Sequence, residues 1–267
     1  MRTIYQKTIP HTNSEMAIRA FSLIFALSLM FVWGCEKDTG TGSGPIDFSY
    51  DEEWPANLDA ILTDTFADST DDQVGLPTWQ DGPPYSEPVP FPSVDVTQII
   101  LGVDNGFLYM RVDFAGVIPS ETVVIDSSGE IEHQNVTNQG MNIALNSDND
   151  LDTGANGEGV WGVDIFFAVG FTYGQHSMVY ANWDFSNHDV HLHNQQLYGE
   201  AGLGGQGYDH VVVRYKISGL GSYFPLGTTI EFGSWSEAES YNDDGSLKYH
   251  HFAFDPFTAV TWTIPSQ

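Results

Sequence analysis

Residues 97–114 read TQIILGVDNGFLYMRVDF. Two apolar runs flank Asp104-Asn105-Gly106, and Asn-Gly supplies the positive φ that a two-residue hairpin turn demands. In the second run Leu108, Met110, Val112 and Phe114 share one face, while Phe107, Tyr109, Arg111 and Asp113 share the other. That period of two belongs to a strand with one face in a core. The stretch therefore predicts an antiparallel hairpin of Thr97–Val103 with Phe107–Phe114.

Working outward, similar short runs recur with Gly, Asn and Asp between them. Thr122–Ile125 and Glu130–His133 flank the turn Asp126-Ser127-Ser128-Gly129. Met141–Leu145 leads into an acidic loop. Val160–Val169 is apolar on both faces, as a central strand would be. Val179–Phe185, His210–Ser218, Thr228–Ser236 and Val260–Ile264 follow. Residues 65–95 are rich in Pro, Asp and Gly and read as a long loop. No long helical period is present, so no crossover helices are expected. About eight to ten strands without crossovers make a single antiparallel β-sandwich, all-β, over residues 46–267.

Composition limits what such a domain can do. The 267 residues include 36 acidic and 8 basic side chains, for a net charge of −28. Nucleic-acid phosphates need Lys and Arg, so nucleic acid is excluded as a partner. Docking on anionic lipid through a polybasic patch is disfavoured for the same reason. At 41% hydrophobic and 13% aromatic, the chain has the means to fill a core. A single Cys rules out a disulfide framework and Cys-based zinc sites.

That Cys also carries the address. Arg2, Lys7 and Arg19 precede the uncharged run AFSLIFALSLMFVWG, Ala20 to Gly34. This run is short for a hydrocarbon core of about 30 Å and reads as the apolar region of a secretory signal. Val32-Trp33-Gly34-Cys35 resembles a bacterial lipobox, with Trp33 bulkier than usual. The resemblance implies a signal peptide over residues 1–34 and lipidation of Cys35; the alternative is a free Cys in a signal-anchor helix. Removing residues 1–34 takes Arg2, Lys7, Arg19 and Glu15, leaving 35 acids and 5 bases among 233 residues. Residues 35–45 then form the lipidated Cys and a small, polar, Gly-rich tether. Glu36 replaces the Asp of the inner-membrane retention signal. The expected location is the bacterial cell envelope, at the outer membrane or cell surface, with the membrane as a partner through the anchor.

Three segments together resemble DOMON-like β-sandwich domains, close to carbohydrate-binding module family 9. They are Asp95–Val112, Met141–Val169 and Ser236–Phe257, the last containing Tyr249-His250-His251-Phe252-Ala253-Phe254-Asp255. The resemblance covers roughly residues 50–264. His251 stands where the family commonly has Asp, and residues 65–95 have no family counterpart. Such domains bind sugars or haem, or serve as accessory modules, so the resemblance implies a ligand-binding or accessory role without choosing between them.

Several clusters could carry chemistry. In Asn146-Ser147-Asp148-Asn149-Asp150-Leu151-Asp152-Thr153-Gly154, the carboxylates of Asp148, Asp150 and Asp152 alternate, as oxygen ligands of Ca²⁺ can. Thr153 breaks the EF-hand pattern, and an Asx-rich turn capping backbone N–H groups is the alternative. His188-Asp189-Val190-His191-Leu192-His193 could offer imidazoles to zinc or copper, but no second half-site stands at suitable spacing. Haem would need an axial pair; Met110 lies on the apolar strand face, where packing accounts for it. No G-x-S-x-G or HExxH motif is present, and the domain is expected to be non-catalytic.

Sugar binding uses an aromatic face against the ring, with polar groups around its hydroxyls. Strand parity places Trp183 and Trp262 in the core, and Trp161 lies in the strand apolar on both sides. Trp54 is ambiguous. Trp235 shares its face with Glu231 and Glu237, while Ile230 and Phe232 point the other way. Trp79 sits in a loop beside Gln80 and Asp81. The expectation is that Trp235 or Trp79 is exposed and contacts a saccharide, helped by Glu231, Glu237, Gln80 or Asp81.

Overall fold

The hairpin forms at the register its turn dictates. Strands β2 (Val96–Asp104) and β3 (Phe107–Phe114) pair antiparallel from Asp104↔Phe107 onward. Asn105 and Gly106 both take positive φ, 47° and 82°, the conformation of a type I′ turn. The computed structural model describes residues 52–71, 91–151, 162–173, 177–184, 200–220 and 224–266. Over these residues the chain is an all-β sandwich of two antiparallel sheets.

The remaining strands are β1 (Asp64–Ala67), β4 (Val123–Ile125), β5 (Gln134–Asn146), β6 (Ile165–Thr172), β7 (Ser177–Asp184), β8 (Glu200–Gly204), β9 (His210–Lys216), β10 (Thr229–Tyr241) and β11 (Leu247–Thr263). The first sheet runs β1-β2-β3-β9-β8. The second runs β11-β10-β5-β6-β7, with β4 also pairing on β5. A helical turn, α1 (Ile217–Leu220), follows β9.

Among the described residues there are eleven strands, against an expected eight to ten or so. Strand β1 arises in what reads as loop: its four residues pair Asp64↔Leu101 through Ala67↔Gln98 at the sheet edge, too short to show a period. Strand β8 is Glu-Ala-Gly-Leu-Gly, with two Gly that weaken strand signals. Residues 130–133 form no named strand, only the bridge Ser128↔Ile131. Strand β4 pairs instead with the start of β5, Val123↔Val136. Strands β5 and β10 run beyond their expected ends because polar residues continue the pairing, while β11 begins at Leu247, well before the expected Val260, and brings Phe252 and Ala253 into the core.

The core lies between the sheets. Leu108, Met110, Val112 and Phe114 of β3 face Ile143, Ile230 and Phe232 of the second sheet within one buried cluster. Met110 is packed there, as its parity predicts. Trp262 is also buried, and its Nε1–H donates to Asp64 Oδ2 at 2.8 Å. Phe66 meets Phe232 edge-on, with ring centroids 4.8 Å apart. The carboxylate of Asp255 on β11 crosses the core to accept the Val96 N–H at 2.5 Å, so the two sheets share a polar link as well as apolar contacts. Trp161 and the side chain of Trp183 lie outside what the structure describes.

Close packing also fixes a glycine. A Cβ on Gly102 would stand 2.0 Å from the carbonyl oxygen of Ile61, so the segment before β1 must shift if the residue grows. Gly102→Ala is expected to cost about 1–3 kcal/mol, the range of an overpacked site. The urea midpoint reports the loss; an unchanged midpoint would show that Ile61 moves freely.

On the outer face of the first sheet, Arg214 of β9 is buried. Its guanidinium lies 4.6 Å from the Trp54 ring centroid and 4.8 Å from that of Phe107. Trp54 also meets Tyr109 edge-on at 6.1 Å. The residue left ambiguous by sequence thus anchors the N-terminal segment to the sheet.

Candidate functional site

Two neighbouring strands build a polar face on the side of the second sheet away from the core. In β10, Ile230, Phe232 and Ala238 belong to the core cluster, so Trp235, Glu237, Glu239 and Tyr241 project oppositely. Strand β5 lies alongside with the register Glu231↔Asn146, Trp235↔Asn142, Glu237↔Gly140 and Glu239↔Asn138. Three asparagines therefore recur every fourth residue on one face, opposite three glutamates and a tryptophan. Gly140 leaves the centre of this array without a side chain.

Trp235 takes the direction its parity predicts, but not the exposure. It is 5% exposed, Glu237 is 1% and Asn142 is 0%. The expected exposed platform is corrected on this point. Alternation along a strand sets which side a residue faces, not whether that side meets water. Glu231 is half-buried at the end of the array. Trp79, Gln80 and Asp81 lie outside the described residues, as do Cys35, Asp152 and the cluster His188–His193.

Hydrogen bonds divide the array into two units. Asn142 Nδ2 donates to Glu237 Oε1 at 3.1 Å. Asn138 Nδ2 donates to Glu239 Oε2 at 2.9 Å, and the Tyr241 hydroxyl donates to the same oxygen at 2.7 Å. Glu239 Oε1 stands 3.2 Å from Nδ1 of the buried His250 on β11. Burial, and then the charge of Glu239, holds the Tyr241 phenol far above its ordinary range, so it remains a donor. The Oδ1 atoms of Asn138 and Asn142 are buried and accept no hydrogen bond from the described residues. An unpaired buried acceptor costs about 1–3 kcal/mol, so this face is short of donors.

Parity within the expected strand Met141–Leu145 already turns Asn142 away from Met141 and Ile143, whereas Asn138 and Asn146 lie beyond its expected ends. The pairing of Glu239 with His250 carried no local signal, because it spans the β10–β11 connection.

The acidic loop follows β5. Asp148 Oδ1 accepts the Asp150 N–H at 2.8 Å, the turn arrangement in which carboxylates cap backbone groups. Asn149 takes positive φ, 58°. Among the described residues, no three or more His, Cys, Asp or Glu are gathered to hold a metal ion. Asp164 Oδ2 accepts from the N–H and Oγ–H of Ser147, at 2.8 Å and 2.7 Å. Burial raises its carboxyl above the ordinary value, and the Ser147 bonds pull it back in part.

Because its folded pKa exceeds the unfolded one, ionised Asp164 costs stability at neutral pH. That cost is relieved as pH falls through the raised value toward 3.8. Asp164→Asn keeps an acceptor for Ser147 and removes the titration. The stability difference, variant minus wild type, is expected to shrink as the pH drops from neutral, read from melting temperatures across the range. A pH-independent difference would remove Asp164 from the acid response.

No helix among the described residues is long and apolar enough to cross a membrane. Compared with protein families, with curated proteins and with solved structures, the chain matches none.

Proposed function

We propose that this chain is an envelope lipoprotein whose sandwich binds a carbohydrate, without catalysis. The observation that supports this most is the pairing of Trp235 and Glu237 with Asn142, whose Oδ1 lacks a donor. Sugar hydroxyls donate hydrogen bonds, and a face short of donors suits them. The resemblance to DOMON-like domains, and the lipobox-like sequence ending at Cys35, support the same reading. Calcium binding by Asp148, Asp150 and Asp152 is part of the proposal; a melting temperature lowered by chelator would support it.

The burial of Trp235 favours a second reading, an accessory domain of a surface assembly with no small ligand. A glycan array separates the two. Wild type is expected to bind, and Trp235→Ala to weaken binding at least about tenfold, the scale of a lost aromatic anchor. Binding that persists in Trp235→Ala would move the site elsewhere. An array with no binding at all would leave the accessory reading.

A further inference from the structure

At one end of the first sheet the fold presents an aromatic ring to water. Among the described side chains, Tyr208 is the one Phe, Tyr or Trp that stands exposed, at 55%. It lies in the turn between β8 and β9. A Cβ on Gly204, at φ 77°, would stand 2.1 Å from the carbonyl oxygen of His210, so this turn is folded tightly on itself. The Tyr208 N–H donates to the Gly205 carbonyl at 2.9 Å, and the Tyr208 carbonyl accepts the Ile118 N–H at 2.8 Å. Both backbone groups of Tyr208 are therefore engaged, and the ring projects from a fixed turn.

Polar groups within reach of water flank it. The His210 ring meets Tyr208 edge-on, with centroids 5.8 Å apart, and His210 Nδ1 lies 2.9 Å from Asp209 Oδ1. Val112 and Phe114 of β3 enter the core, so Arg111 and Asp113 face outward. Asp113 is the cross-strand neighbour of His210. Arg111 Nε donates to Asp113 Oδ1 at 2.6 Å, and Gln98 Nε2 donates to Asp113 Oδ2. The side chains of Asp209, Arg111 and His210 are 68%, 31% and 22% exposed. The hydrogen bond from His210, with the charges of His210 and Arg111 behind it, holds the Asp209 carboxyl below its ordinary value, so it stays an acceptor.

We infer that Tyr208 is the platform of a saccharide site at this end of the first sheet, with Asp209, His210 and Arg111 as partners of the sugar hydroxyls. The inference takes its ligand class from the carbohydrate reading above and its place from the other sheet, so it does not depend on Trp235. Tyrosine offers a rigid, amphipathic face at low entropic cost, and a fixed backbone lowers the ordering cost of binding further. Hydroxyls donate and accept: the Asp209 carboxylate supplies acceptors, and the guanidinium and imidazole N–H groups supply donors. Beside Tyr208 the exposed apolar side chain is Val117. One tyrosine and one valine fall far short of the roughly 800 Å² per partner that a stable protein interface covers, which favours a small, hydroxyl-rich ligand.

The test is NMR titration of the purified protein, at fixed pH, with neutral β-linked tetrasaccharides of glucose, mannose and xylose. The Hε1 resonance of His210 reads binding at this site, and a saturable shift is expected with at least one of the sugars. Tyr208→Ala, at an exposed position where the melting temperature should hold, is expected to weaken binding there about tenfold, the scale of a lost aromatic anchor. Tyr208→Phe keeps the ring face and should bind within about twofold of wild type. Asp209→Asn exchanges a charged acceptor for a neutral one and should weaken binding about fivefold. Wild-type affinity in Tyr208→Ala or in Asp209→Asn, or an equal loss in Tyr208→Phe and Tyr208→Ala, overturns the inference. Binding on the glycan array with no shift of His210 also overturns it and leaves the carbohydrate reading standing. If no saccharide binds on the array or in the titration, that reading falls and takes the inference with it.

Discussion

Arg214→Met is expected to destabilise the protein by about 3–5 kcal/mol, the scale for breaking a buried ion pair on one side. The Arg214 side chain is 1% exposed. Its Nε–H donates to Glu200 Oε2 at 2.7 Å, and Nη1 and Nη2 donate to the carbonyls of Glu53 and Glu52 at 3.2 Å and 2.5 Å. Methionine fills the volume but leaves the largely buried Glu200 carboxylate without its cation and two carbonyls without donors. It also removes the cation between the Trp54 and Phe107 rings. Arg214→Lys keeps the charge and loses the planar fork, so an intermediate loss is expected. Urea unfolding measures both, and Trp54 fluorescence should show its segment detaching from the sheet. A loss below about 1 kcal/mol for Arg214→Met would mean that the clamp is incidental to stability.

Phe232→Ala is expected to cost a similar amount, about 3–5 kcal/mol, by the removal of a fully buried aromatic. Phe232 is 0% exposed and holds β10 against Phe66 of the opposite sheet. Phe66 is only partly buried, so Phe66→Ala should cost less. The double variant should show a coupling of about 0.5–1.5 kcal/mol, as aromatic pairs do. Because Phe232 lies three residues from Trp235 on the same strand, saccharide binding is expected to weaken along with stability. Additive single effects would show that the edge-on contact contributes nothing beyond area.

Strand parity carried much of this far. The face of β3 that enters the core, the Asn105-Gly106 turn, the burial of Met110 and Trp262, and the direction of Trp235 all follow from local alternation, which needs only neighbouring residues. The short edge strand β1 was not legible, because four residues hold no period. The extension of β5 back to Gln134 was hidden by polar residues that read as loop until a partner strand is present.

Sequence by itself determined the side-chain alternation along the strands, the acidity and the scarcity of Lys and Arg. Tertiary structure alone decided that the outer face of the second sheet is buried and that Asn142 meets Glu237, 95 residues away in the chain. It likewise decided that Arg214 reaches the carbonyls of Glu52 and Glu53, more than 160 residues before it. The reason is physical. Side-chain alternation is set by the backbone of one strand, whereas register and burial are set by which strands meet. Those meetings are fixed only when the sheets close on a common core.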